Sequence, residues 1–366
     1  MFVARPPAGP PVSHDLHLVR AGRRTFTGSA EFLAEAENRA RVGEYLADLG
    51  RPYGRNVPAA LFGEPPSPDL GQSYGEMAGT LIGSVVPADE PADLLVLAFS
   101  VHDLRPGRQT AAYLSHLTPG EPMAFAVCDQ GSAAAFSGLR IACEYAASAG
   151  LRRALLVVAE QAALPYDAPV ALPSQHRAVA MLFASGSGSS RPASSRPASS
   201  RPGGDSAVGP ARVAGLCQHP GVPPGDVAAL AAADLAGLAA GYHAVGLVLS
   251  ATVAAFWTAP AAGQVRVMPP GQPSTDVWWG LIDEFAGDAD PASRPDLLVV
   301  ADYDPYLRYL CMTAFGAGPR ALAGRACPGD PRPPAGVTSW SGRARPAVAT
   351  RLARSPPGWR PRCRPW

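Results

Sequence analysis

The chain has 366 residues, 47% of them hydrophobic, and a formal net charge of +1 from 31 basic and 30 acidic side chains. That is enough apolar material for one large α/β body or two ordinary domains, with no global charge to draw it to nucleic acid or an anionic membrane. The six cysteines form no CxxC pair and no leader pattern opens the chain, which disfavours zinc and secretion and leaves a cytoplasmic location as the expectation.

The first half alternates short apolar runs with helical patterns. Leu94 to Leu97 reads as a strand, Gln109 to His116 as a helix, Ala124 to Cys128 as a strand, Ala134 to Ala147 as a helix and Ala154 to Val158 as a strand. Strands joined by helices at this spacing imply an α/β fold with a mostly parallel sheet covered on both faces. Residues 185–209 are Ser, Gly, Arg and Pro-rich with a five-residue near-repeat, the composition of a solvated linker. It separates an N-terminal half, residues 1–184, from a C-terminal half, residues 210–324.

The second half opens on Pro223-Pro224-Gly225-Asp226 and a helical pattern to about Ala240. The apolar segment Ala244 to Trp257 is too short to cross a bilayer, which takes roughly 20 residues, and reads as a buried helix or strand. A helix is expected from about Thr275 to Phe285. Asp296-Leu297-Leu298-Val299-Val300 then echoes Asp93-Leu94-Leu95-Val96-Leu97, a hint of duplication. Residues 325–366 are Arg and Pro-rich without periodicity, read as a disordered tail or a lost reading frame, with a basic tail for an acidic partner as the other reading.

The chemistry concentrates in Phe125-Ala126-Val127-Cys128-Asp129-Gln130-Gly131-Ser132-Ala133-Ala134, a strand, a tight turn and a helix start. Small residues there let a side chain stand at a helix mouth, where backbone N–H groups and the dipole stabilise an anion. This segment resembles the nucleophile turn of the type III ketoacyl-acyl-carrier-protein synthases of the thiolase superfamily. Asp93 to Ser100, Thr110 to Leu117 and Arg153 to Gln161 resemble the family's flanking elements. The resemblance implies a thiolase fold, duplicated α/β halves layered αβαβα, with the completeness of the second half left open.

Register against the family's helix places Ser132 at the position of its cysteine. Cys128 falls four residues early, either a slipped nucleophile or a small buried hydrophobe, and Cys143 is read as buried on the following helix. Serine needs a general base that a helix-end thiolate does not. Ser132 is therefore either an acyl acceptor or a small residue tolerated in an inactive relative.

The family supplies a histidine just after a strand of its second half and an asparagine in a Gly-containing loop. Matching Leu307-Arg308 to the family's motif puts Tyr303 at the histidine, between Asp302 and Asp304, and the asparagine loop in the tail, which has no asparagine. Asp302 and Asp304 could orient a base or hold a substrate hydroxyl, or be ordinary turn residues. His243 and His102 are the histidines to test as bases. The implied activity moves an acyl group from coenzyme A or an acyl carrier protein through Ser132 to an acceptor, in polyketide, fatty-acid or other secondary-metabolite biosynthesis. The implied protein is a homodimer with no bound cofactor or metal, the coenzyme A or phosphopantetheine thioester being substrate. The competing reading is a non-catalytic or degenerate subunit that binds a carrier protein or a catalytic partner.

Overall fold

Strands buried on both faces, with successive side chains directed to opposite sides, set the layering. The computed structural model describes residues 15–105, 107–166, 172–186, 206–260, 263–286 and 294–317. In chain order the main elements are β1 (Leu16–Phe26), α1 (Ala36–Gly50), α2 (Tyr74–Val85), β2 (Leu94–Ala98), α3 (Thr110–Leu117), β3 (Met123–Val127), α4 (Ala133–Ala149), β4 (Arg153–Glu160) and β5 (His176–Ser185). The second set is β6 (Ser206–Pro220), α5 (Val227–Leu238), β7 (Val245–Leu249), α6 (Ala251–Phe256), β8 (Val265–Val267), α7 (Asp276–Ala286), β9 (Leu297–Asp304) and β10 (Tyr309–Ala317). The five first-half elements expected from the sequence are all present. Ala244 to Trp257 resolves into both a strand, β7, and a short helix, α6.

The ten strands form one sheet in the order β3-β2-β4-β5-β1-β6-β10-β9-β7-β8. Numbering the second set from its own start gives 3-2-4-5-1 followed by the same order reversed. Each half thus supplies five strands and a helix after each of its first three, and the halves meet antiparallel at β1 and β6. The second half lacks none of the five strands.

The sheet is mixed where a mostly parallel one was expected, with five antiparallel neighbours, β1·β5, β1·β6, β6·β10, β9·β10 and β4·β5. For β9 and β10 the reason is connection length. β9 ends at Asp304 and β10 begins at Tyr309, too short a link for the crossover that parallel neighbours need.

On β2, β4 and β5, Val96, Leu156 and Met181 point to one side while Leu97, Leu155 and Leu182 point to the other. On β9 and β10, Val300 and Cys311 share the first side, and Val299 and Met312 face away. The shared side is a central layer formed by α4 and α7. The outer faces are covered by α2 and α3 in the first half and by α5 and α6 in the second. The result is helix, sheet, helix, sheet, helix. A smaller cluster around Leu33, Val42, Leu46 and Leu70 seats α1 and its flanking turns.

Side-chain chemistry locks α7 onto the first half. The guanidinium groups of Arg23 and Arg177 both lie over the Trp279 ring, 4.7 and 4.6 Å from its centroid. Arg23 also pairs with Asp283, and Arg177 with Asp276 at 3.2 Å. Phe136 of α4 packs on Trp278 of α7 with ring centroids 4.8 Å apart, both fully buried. This contact joins the two central helices at the middle of the molecule. Truncation by Phe136→Ala is expected to cost about 3–5 kcal/mol, read as a lowered urea midpoint with an unchanged slope.

Candidate active site

The turn between β3 and α4 is built around Gly131. Its φ of +53° is left-handed, and a Cβ there would collide with Asp304 Oδ2. Only glycine satisfies both constraints. The next residue, Ser132, precedes the first turn of α4, is buried, and makes no side-chain cap to its own helix. Its hydroxyl is therefore available to something else.

That partner comes from the end of β9. Because side chains alternate on a strand, Asp302 and Asp304 face the central layer while Tyr303 faces outward. Asp302 is 3% exposed, and burial raises its pKa above the ordinary carboxylate range. The Asp304 charge adds to the rise, whereas the Ser132 and Ser250 side chains and the Tyr303 N–H oppose it. Even with those neighbours, Asp302 Oδ2 has no hydrogen-bond partner. A buried carboxylate oxygen left free beside a serine is a proton acceptor, and burial strengthens it as a base.

Asp304 does different work. Its Oδ1 accepts from Tyr306 N at 3.0 Å and Leu307 N at 2.9 Å, and its Oδ2 accepts from Ser132 N at 3.3 Å. It ties the β9–β10 turn to the start of α4. The following N–H groups are taken locally, Ala133 N by Gln130 O and Ala134 N by Gly131 O.

The duplicated fold supplies an internal comparison. Leu155-Leu156-Val157-Val158-Ala159-Glu160 ends β4, and Leu297-Leu298-Val299-Val300-Ala301-Asp302 occupies the equivalent strand β9. Glu160 meets the start of α7 as Asp302 meets the start of α4, and Thr275, just before α7, corresponds to Ser132. Glu160 is saturated: Oε2 accepts from Ser274 N at 3.0 Å, and Oε1 from Thr275 N at 3.2 Å and from the Thr275 hydroxyl. Burial still lifts its pKa to about 7. Beside it, burial holds Asp276 at about 6 against the pull of Arg177.

The sequence-derived candidates are distributed unevenly. Ser132 and Asp302 come together. His243 is exposed in the turn before β7, at the opposite end of that strand from Ser250 and away from Ser132. His102 is engaged elsewhere, Nε2 with the Tyr166 hydroxyl at 2.7 Å and Nδ1 with Asp103 O at 3.2 Å. Tyr303, matched to the family's histidine, turns its hydroxyl to Val222 O at 2.8 Å and its ring to Phe256. Cys128 is exposed, not buried, with its pKa raised by partial burial and then by Asp129. Cys143 is buried, its thiol pushed up to about 12 by burial. The tail read for the asparagine loop lies outside the described residues.

Sequence reasoning missed Ser250 and Gln272. Ser250 stands just after β7, caps α6 by accepting from Val253 N at 3.2 Å, and reaches Asp302. Gln272 follows Gly271 in the loop before α7, 3% exposed, with Nε2 donating to Ser174 Oγ at 2.9 Å and Oε1 unpartnered. The echo of Asp93 to Leu97 with Asp296 to Val300 joined β2 to β9, which are not equivalent strands. The longer match, Leu155–Glu160 with Leu297–Asp302, is the signal that finds the paired acids.

No family model matches the sequence, and no curated protein matches it. Solved structures do match. A tetronic acid condensing enzyme superposes with a TM-score of 0.53 over 82% of this chain and 100% of that one, at 13% identity. The chain has the thiolase fold. A 3-oxoacyl-(acyl carrier protein) synthase III from Pseudomonas aeruginosa PAO1 matches at TM-score 0.45 and 13% identity, covering 82% of this chain and 98% of its own. Cerulenin-bound OleA from Xanthomonas campestris matches at TM-score 0.47 and 14% identity, covering 86% and 100%. Among the described residues of this thiolase fold, no helix is long and apolar enough to cross a membrane and no group of three or more His, Cys, Asp or Glu side chains could hold a metal ion.

The two acids predict opposite responses to amide substitution. Glu160→Gln sets an N–H against the N–H groups of α7 and is expected to cost about 1–3 kcal/mol, whereas Asp302→Asn removes a poorly solvated charge and changes stability by less than about 1 kcal/mol. Because its folded pKa is raised, Glu160 contributes stability that is present below its unfolded pKa and lost as pH rises through about 7. Denaturant titrations from pH 4.5 to 8 are expected to show that slope flattened in Glu160→Gln.

Proposed function

We propose that this protein is an acyltransferase that carries an acyl group on Ser132, with Asp302 as the general base. The observation that carries this reading is the free Oδ2 of a buried carboxylate beside a hydroxyl that caps nothing, at a site whose internal counterpart is fully hydrogen-bonded. In the first step the Ser132 proton passes to Asp302 as Oγ bonds to the carbonyl carbon of a thioester. The C–S bond breaks, and the departing sulfur takes the proton from Asp302 as free thiol. An acceptor hydroxyl, amine or thiol then gives its proton to Asp302 and attacks the ester, and Ser132 leaves with that proton restored.

The thioester is that of coenzyme A or of phosphopantetheine on an acyl carrier protein, in fatty-acid, polyketide or related biosynthesis. Condensation by decarboxylation fits less well, because Tyr303 stands at the position matched to the family's histidine and turns away to Val222 O, while His102 is held by Tyr166 and Asp103. A groove of about 540 Å³ beside β3, lined by Phe99, Ser100, Phe125, Cys128 and Asp129, offers room next to the nucleophile turn. β3 is an edge strand with Met123 exposed and Leu117 and Tyr145 exposed nearby. A second copy paired along β3 would cover them, which supports the homodimer.

One observation favours the non-catalytic subunit. The N–H groups of Ser132, Ala133 and Ala134 are already spent on Asp304, Gln130 and Gly131, so an oxyanion at Ser132 would have to displace one of these acceptors. Intact-mass spectrometry after incubation with acyl-coenzyme A of several chain lengths separates the readings. A stoichiometric acyl adduct that disappears in Ser132→Ala is expected; absence of any adduct puts the subunit reading in its place.

A further inference from the structure

The two halves treat their paired acids differently, and Asp304 is the difference. At the start of α7, Glu160 alone receives two backbone N–H groups and a hydroxyl. At the start of α4, the backbone N–H of Ser132 goes to Asp304, two residues further along β9 on the same face. The first half has no acid there: the residue two beyond Glu160 is Ala162. Gly131 is the matching concession on the helix side, since any Cβ would push the Asp304 carboxylate away.

We propose that Asp304 is a positioning residue that takes the N-terminus of α4 away from Asp302, so that Asp302 keeps an unpartnered oxygen to receive the Ser132 proton. Capping, done by Glu160 in the first half, passes to Asp304 in the second, and the transfer leaves Asp302 free to act as a proton acceptor. Withdrawing the Asp304 contact lets the Ser132 N–H turn to Asp302, which stabilises its charged form and weakens it as a base. The other ionisable groups facing Asp302 are Asp276 of α7, itself paired with Arg177, and Cys311 of β10. Neither reaches the Ser132 backbone in place of Asp304.

The catalytic consequence rests on the acyltransferase reading, but the positioning does not. The test is a carboxyl-carbon NMR titration of the full chain, with the Asp302 signal assigned by its loss in Asp302→Asn. Two variants are compared with the wild type: Asp304→Asn, which removes the charge and replaces one of the two acceptor oxygens by an NH2 group, and Gly131→Ala, which keeps the charge and displaces the contact. The Asp302 pKa is expected to fall in both, and the single-turnover acylation rate to drop about tenfold. A fall in Asp304→Asn alone would reduce Asp304 to an electrostatic neighbour and overturn the proposal, as would no change in either. Failure of both variants to fold would make Asp304 purely structural and would likewise overturn it. If the wild type forms no acyl adduct while the Asp302 pKa still falls in both variants, the positioning stands and the acyltransferase reading alone is lost.

Discussion

A carboxylate taken out of water must be met by hydrogen-bond donors or hold on to its proton, and the centre of this molecule applies that rule twice. β4 and β9 each end in an acid directed at the first turn of a central helix. Glu160 is answered by three donors from the start of α7. Asp302 is answered incompletely, leaving one oxygen buried and free. An unmade hydrogen bond of this kind is costly, and it lies beside a serine at the mouth of α4. Geometry and burial, rather than any histidine, are what single out this position.

The duplication makes that contrast possible. Both acids sit on strands of the same rank, in the same face alternation, against helices that pack on one another through Phe136 and Trp278. The apolar layers hold the strand ends and helix starts in fixed register, and Arg23 and Arg177 over Trp279 anchor α7 to strands of the other half. With the scaffold so nearly repeated, differences at the two helix mouths reside in side chains: Asp302 with Asp304 on one side, Glu160 alone on the other.

Much of this was legible in the residues. Short apolar runs and helical patterns located β2, α3, β3, α4 and β4, and the Gly131-Ser132 turn with its run of alanines marked the helix mouth. Asp302 was visible as one acid of a strand end but not as the partner of Ser132, because pairing across the sheet depends on which strand of the second half is equivalent to which of the first. Matching Leu307-Arg308 to the family's motif put Tyr303 in the histidine's place, whereas its side chain faces the outer layer and donates to Val222 O. The antiparallel strands β5 and β6 follow long connections that carry no turn signal to separate them from parallel ones. The groups around His243 and His102 were undecidable without knowing which end of each strand faces the centre.

The proposed chemistry stands or falls on Asp302 accepting the Ser132 proton. Its most direct measure is the pH dependence of single-turnover acylation by acyl-coenzyme A in the wild type and in Asp302→Asn, with folding checked by circular dichroism. The account predicts a rate that rises with pH as Asp302 loses its proton, and a loss of about 10²–10⁴-fold with no such rise in the variant. A folded Asp302→Asn that acylates Ser132 at the wild-type rate, with the same pH profile, would contradict it.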